Sequence, residues 1–438
     1  MKKLLIFSGL FVITVIFTTK LFAQLDNVAN MSAEWVRTGN RNAAVDGADI
    51  VNYNPSGLTN LKNGFYINMS NQFLIRTPSH TFDIGYGENT YKHDGVDAFF
   101  PSFYTAYKKD RYAFYAGGYI AGGGGAINYP SGSISTDLIG KQLVDNLPVF
   151  NSFSDQQLTG SSAYLTFTFG GAYKLNNLIT VSVGGRYIDA SKNTNASILM
   201  IGSSPTVIDT PFEIDLEDKT SGFGGIIGLT LAPSNQVNLS IHYETRVKLD
   251  FETTVNKDDT NTFLDKDTYR RDLPSALYLG LHIQVNEEAW LEGNFNYYYQ
   301  TLAEWGKTEV DSMEWSNIAG DSYKAGMAMG FQVSPKLEYS IGGTFTGFNY
   351  DDKERYFSRI GSFEVMKYNY LSINTGIKYT LSDKIDINFG IARSFWKKGS
   401  IKLYDTYDVS VKNGAWIAAL GLNINLFGRN EEKGVYYY

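Results

Sequence analysis

No cysteine occurs among the 438 residues. Disulfides are thereby excluded as a means of holding an exported fold together, and so is a lipid anchor on an N-terminal lipoprotein cysteine. Past the first two dozen residues, no apolar run reaches the roughly 18 to 20 residues that a membrane-crossing helix needs. Blocks of Lys or Arg are missing as well and the formal net charge is -7, which argues against nucleic acid as a partner. The four His are scattered, and no close His or acidic cluster has ligand spacing, so no metal, haem ligation or other cofactor is expected. A Gly-x-x-x-x-Gly-Lys-Ser/Thr nucleotide loop is also lacking, and with it any sign of an energy source.

The chain starts with Met1, Lys2 and Lys3, then an apolar run from Leu4 to Phe17, then Lys20 and Ala23 before Gln24. A basic start, an apolar stretch of secretory length and a small residue at the boundary read as a signal peptide over 1–23, with an uncleaved anchor as the alternative. Mean hydropathy is -0.21, as for a soluble protein, but a transmembrane barrel looks the same because half of every strand faces a polar lumen. The 31 Tyr and 28 Phe favour the barrel, whose two membrane interfaces are ringed by aromatics.

After about residue 64 the chain alternates with period two. Val237, Leu239, Ile241 and Tyr243, continued by Val247, Leu249 and Phe251, form one apolar face against Asn238, Ser240, His242, Glu244, Arg246, Lys248 and Asp250. That segment predicts one strand of about 15 residues, longer than the roughly 9 to 11 a membrane strand needs and far longer than soluble strands. The pattern recurs at Phe65–Met69, Ile179–Val183, Leu277–Ile283, Leu337–Phe345, Ile385–Ile391 and Trp416–Leu426. Short turns such as Lys108–Arg111, Ala232–Asn235 and Ser382–Lys384 tend to alternate with long polar connections, as in an up-and-down barrel. Counting runs gives about 14 strands over 64–427, an even number, and closure is demanded because an open edge in lipid leaves backbone groups unpaired. A soluble β-sandwich would also alternate, but neither the strand length nor the export signal suits it. The fold class is therefore all-β, a transmembrane antiparallel barrel in the outer membrane of a Gram-negative bacterium.

Residues 24–63 do not alternate. Ala33, Trp35, Val36, Ala43, Ala44, Ala48, Ile50 and Val51 suit short helices, followed by the turn Asn54-Pro55-Ser56-Gly57. Some 40 residues are too few for an independent domain and enough for a small helical hatch inside the lumen. An Asn-Pro-small-Gly turn at this position, preceded by Asn42-Ala43-Ala44 and Asp46-Gly47-Ala48-Asp49, resembles the FadL/TodX family of long-chain fatty acid and hydrocarbon transporters. Pro101-Ser102-Phe103-Tyr104 on the second strand, Asp272-Leu273-Pro274-Ser275 leading into the eighth, and Trp305 and Trp315 in the loop that follows are similar to that family too. Ser56 departs from the family's usual Ala, and the tail 428–438 runs past the last strand.

The resemblance implies a barrel blocked by the hatch, with ligand captured outside, passed into the lumen and released sideways where the third strand is kinked. Gly117-Gly118 and the run from Gly122 onward supply glycines for such a kink, Gly117, Gly118 and Gly122 being the candidate lateral opening. Asn54, Pro55, Ser56 and Gly57 are the candidate hatch gate, expected to pack against that kink. Ile134 to Leu147 has amphipathic-helix spacing, and Leu138 and Phe150 in this insert could form a greasy external capture site or a packed loop. Strand parity turns Arg186, Arg246, Lys248 and His282 towards the lumen, where Arg186 and Arg246 are candidates for a ligand carboxylate; Glu244, Asp250 and Glu292 could instead neutralise these cations. The expected function is passive uptake of long-chain fatty acids or similar hydrophobic molecules by a monomer bathed in outer-membrane lipid. Aromatic hydrocarbon or haem uptake, or a structural or secretion-associated barrel without transport, are the alternatives. A lipid hydrolase would need Ser and His poised together, which only Ser240 and His242 approach, so no enzyme is expected.

Overall fold

The computed structural model describes residues 30–426 except 86, 360 and 405. The expected signal peptide and the tail 428–438 lie outside the described residues. Among those, 14 antiparallel strands close into one barrel. They are β1 (Gly64–Arg76), β2 (Val96–Lys109), β3 (Tyr112–Tyr129), β4 (Phe150–Lys174), β5 (Ile179–Gly202), β6 (Thr210–Ser234) and β7 (Val237–Glu244). The second half comprises β8 (Ser275–Asn286), β9 (Ala289–Tyr299), β10 (Ser322–Ser334), β11 (Leu337–Phe348), β12 (Tyr370–Ser382), β13 (Ile385–Trp396) and β14 (Gly414–Asn425). Each strand pairs with the next, and β1 closes on β14 from Tyr66↔Asn425 to Arg76↔Ala415, so no edge is left to lipid.

Alternation sorts the side chains. Phe73, Phe114, Phe169, Val183, Phe223 and Met327 point outward and are exposed, whereas Asn68, Thr168, Arg186, Asn294, Glu338 and Asn388 point inward and are buried. Such an inversion, apolar outside and polar inside, is stable only when the surrounding solvent is hydrocarbon. On β10, Tyr323 and Phe331 bracket the apolar row, eight residues apart, or about 27 Å along the strand; tilted as barrel strands are, that spans about 20 Å, most of the apolar band of an outer-membrane wall. No helix among the described residues is long and apolar enough to cross a membrane, and the strands do the crossing.

Two departures from regular alternation shape the interior. Strands β4, β5 and β6 run 25, 24 and 25 residues, well beyond the membrane requirement, and rise as a tongue on the extracellular side. The tongue's inner face, with Phe150, Leu158, Ile198, Met200 and Leu216, packs on α2 (Ile134–Asn146) in a core that also holds Trp305, Tyr356 and Phe363. That helix starts in a capping box between Ser133 and Thr136, which satisfies amides left over at its first turn. Leu138 and Phe150 thus belong to a packed cap rather than to an open groove.

The second departure corrects the reading of Val237–Phe251 as a single strand. β7 stops at Glu244; Thr245 and Arg246 both face outward, and a new strand, Asp250–Asp258, resumes pairing with β6. One extra residue reverses the parity, because side chains alternate with period two. Val247, Leu249 and Phe251 accordingly swing from the lipid side into the lumen, fully buried against Tyr164 and Ile188, while Lys248 turns out and pairs with Asp250 at 2.9 Å. The result is a greasy lining on one side of an otherwise polar lumen.

Candidate transport path and lateral window

The hatch consists of α1 (Ala33–Thr38) and two short 3-10 turns, Ala48–Val51 and Pro55–Asn60. Ser32 caps α1 by accepting from the Trp35 amide at 3.1 Å, and Gly39 ends it in the left-handed conformation at φ 71. Towards β1 and β11–β14 a polar network holds the hatch, beside a small apolar contact of Ala33 and Val36 with Ala392 and Ala419. Asn68, Asn388 and Asn423, from three neighbouring strands, all donate to one oxygen of Glu34, at 2.8, 2.8 and 2.6 Å. Arg37 reaches Glu338 at 2.8 Å, Ser340 at 3.0 Å and Asn388 at 3.1 Å, and Lys378 joins Glu338 at 2.9 Å. Arg41 holds Asp49 and Asp46 within the hatch itself. Buried ions are tolerable only when paired in this way, so the network makes that part of the lumen polar. Towards β2–β6 the same hatch presents Ile50, Val51 and Leu58 to Tyr104, Tyr115, Tyr164 and Ile188, with no ionic tie in that cluster.

A cavity sits beside the hatch, lined by Trp35, Tyr53, Tyr119, Tyr278, Tyr298 and Lys324 among others. Its volume is about 50 Å³, room for a few waters and less than the ~150 Å³ of a cavity that takes up benzene. Anything larger than a few waters would fit only if the hatch or the wall shifted. Two cations face it. Arg186, as expected from parity, is there, but Glu244 neutralises it at 2.6 Å and Thr245 O accepts from it at 2.8 Å. Lys324 is different: it lies over the Trp35 ring at 4.9 Å from the centroid, is buried, and has no carboxylate within ion-pair distance among the described residues. It sits on the lumen row of β10 with Gly326, Ala328 and Gly330, and a lone Lys among small inward residues was the signal in the sequence that could have singled it out.

Behind Tyr119 and Ala121 the cavity meets the barrel wall where β2 and β3 separate. The two strands pair only from Lys109↔Tyr112 up to Phe103↔Gly118. Above this, β3 carries two bulges against β4, one between Ile120 and Gly122 and one between Gly122 and Gly125, each adding one residue. Gly123 and Gly125 adopt φ +96 and +83, and a Cβ at Gly123 would come within 2.8 Å of the Ser162 backbone, so glycine is required there. On the facing strand Pro101 has no N–H to offer the ladder. Asn30, the first described residue, occupies the gap: its amide donates to Ile120 O at 2.7 Å and its side chain to Pro101 O at 2.5 Å.

The three glycines named from the sequence all lie on β3, but not in the same setting. Gly117 and Gly118 are paired on both sides and form the last zipped rungs, while Gly122 lies in the window itself. The hatch turn is elsewhere: Ser56 bonds Thr230 of β6 at 2.7 Å, and the neighbouring Thr59 bonds Thr180 of β5 at 3.1 Å. Asn54–Gly57 therefore does not seat on the kink as expected; Asn30 does, and nothing in its own sequence context marked it. Arg246 is half-exposed beside Asp272 and Glu304 at the mouth. His282 pairs with Glu292, and Ser240 donates to Asn42 O of the hatch rather than meeting His242, which faces Glu244.

No protein-family model matches the chain, and no curated protein does at significant similarity. Solved structures do. A Pseudomonas aeruginosa FadL homologue aligns over 91% of this chain and 98% of its own with a TM-score of 0.66 at 12% identity. The toluene transporters TbuX of Ralstonia pickettii and TodX of Pseudomonas putida align over 91% and 93% of this chain, and 99% and 100% of their own, at TM-scores of 0.60 with 14% and 12% identity. In architecture, then, this chain is a membrane-spanning barrel with the fold of the FadL and TodX channels.

Proposed function

We propose that the protein is a passive outer-membrane channel for hydrophobic small molecules that carry a carboxylate, long-chain fatty acids first among them, loaded beside the hatch and discharged sideways between β2 and β3. The observation that carries this reading is the unpaired stretch of wall directly behind the cavity, occupied among the described residues by Asn30. An axial route to the periplasm would lead through the ionic seal around Glu34, Arg37 and Glu338, whereas the sideways route is lined by Tyr119, Ala121 and Ile120. Direction follows from solvation. Each CH₂ withdrawn from water gains about 0.8 kcal/mol, so a fatty chain runs downhill into the bilayer with no energy input.

Lys324 supports the carboxylate. A buried ammonium with only a ring face for company is costly to keep, and an anionic head group relieves that cost. A second reading, uptake of neutral monoaromatic compounds, is favoured by the aromatic walls of the cavity and by its small size, and TodX and TbuX are toluene transporters. Uptake of palmitate and of toluene into liposomes containing the purified protein separates the two. Palmitate transport that collapses in Lys324→Met supports the first reading, and toluene transport indifferent to that change supports the second.

A further inference from the structure

The window has a ceiling, and the ceiling is made of side chains. The Ala126 amide, which a regular ladder would pair with a β2 carbonyl, instead donates to the Asp97 carboxylate at 2.9 Å. Arg76 of β1 grips the other oxygen of Asp97 at 2.9 Å and also donates to Ala126 O. The Asp97 carboxylate fills the place where a Cβ on Gly125 would stand, 2.7 to 3.0 Å away, so the glycine at φ +83 both makes the bulge and leaves room for the clasp. The reason for a clasp is geometric. Between the Phe103↔Gly118 rung and this level β2 advances six residues and β3 eight, so the backbones are out of register and a side chain must bridge them. The next tie upward is Asp94 N to Asn128 O at 2.8 Å, with Asn128 N bonded to His93.

We propose that Asp97 determines specificity by size: clasped to Arg76 and Ala126, it fixes the upper border of the window and so limits the cross-section of what leaves through it. This rests on lateral exit through the same window. With the clasp in place the opening extends six residues along β2, about 20 Å; without it the gap would reach the Asp94–Asn128 tie, nine residues or about 30 Å. Arg76 and Asp97 are each less than one-fifth exposed, so their pairing is little screened by water.

The test compares two probes, palmitate and a fatty acid of the same length ending in pyrene, entering liposomes that contain the full-length protein. Wild type should favour the slim probe. Asp97→Ala should raise the pyrene-to-palmitate rate ratio several-fold, Asp97→Asn should stay near wild type because it keeps an acceptor for Ala126 N, and Arg76→Gln should shift the ratio the same way as Asp97→Ala but less. Heat-modifiable gel mobility confirms that each barrel is folded, and Arg76→Gln serves if Asp97→Ala is not. An unchanged ratio in folded Asp97→Ala, or in Arg76→Gln where it stands in, overturns the proposal. Deleting Ala121 and Gly123, which should zip the window shut, tells the two failures apart. If palmitate still enters that variant, lateral exit itself is wrong; if entry stops there while Asp97→Ala leaves the ratio unmoved, only the role of Asp97 is lost.

Discussion

Deleting Ala121 together with Gly123 removes one residue from each bulge of β3 and brings it into step with both neighbours. The Ile120↔Leu165, Gly122↔Tyr164 and Gly125↔Ser162 pairs would then follow without a skip, and the eight-residue advance beside β2 would shrink to six. Because the deletion is even, the residues above keep their facing, so Tyr129 still points into the cap core. The carbonyl of Ile120, now held by Asn30, becomes available to the β2 ladder. Each new ladder bond is worth about 0.5 to 1.5 kcal/mol net, and two of them, about 2 kcal/mol together, depress the open state roughly 30-fold. The expected outcome is a barrel that folds normally, judged by heat-modifiable mobility, and transports palmitate into liposomes at a few per cent of the wild-type rate or less. A folded deletion variant with undiminished uptake would refute the sideways route.

Lys324→Met should weaken binding of a fatty carboxylate more than tenfold while leaving a neutral aromatic unaffected, since a charge-assisted contact is worth about 1.5 to 3 kcal/mol; calorimetric titration of the detergent-solubilised protein checks this. Arg37→Ala strands Glu338 with Lys378 alone and breaks the tie to Asn388, a loss of about 3 to 5 kcal/mol for a buried pair. Planar-bilayer recordings should then show ion conductance through a loosened hatch that the wild type lacks. In the extracellular cap, burial pushes the His80 imidazole down to about 3. Protons therefore bind the unfolded loop from about pH 6.5 downward but not the folded one, so the cap should lose stability as pH falls from about 6.5 towards 3. Protease protection of the loops should show this acid loosening in wild type and much less of it in His80→Leu.

Alternation made the barrel legible from the chain alone, because lipid and lumen impose opposite demands on neighbouring side chains. The alternating runs that open at Phe65, Ile179, Leu337 and Ile385 begin within one residue of observed strand starts. The expectation failed where a single inserted residue changed the facing, at Thr245–Arg246, since a bulge leaves no mark on composition and yet turns Val247, Leu249 and Phe251 inward. It failed again at the hatch turn, whose contacts with Thr230 and Thr180 depend on how a short non-repeating segment is rotated inside the lumen.

What the chain determined by itself was therefore what repeats: the strands, their count and the lipid-facing rows wherever no bulge intervenes. What only the tertiary structure decided was where non-repeating residues come to rest. Asn30 against Pro101 and Ile120, Asp97 against Arg76 and Ala126, and Lys324 over Trp35 are each meetings of strands or hatch segments that no period relates. Periodicity reports which solvent a side chain faces. Which partner it finds there follows from barrel closure, bulges and the seating of the hatch, and those are properties of the whole packed chain.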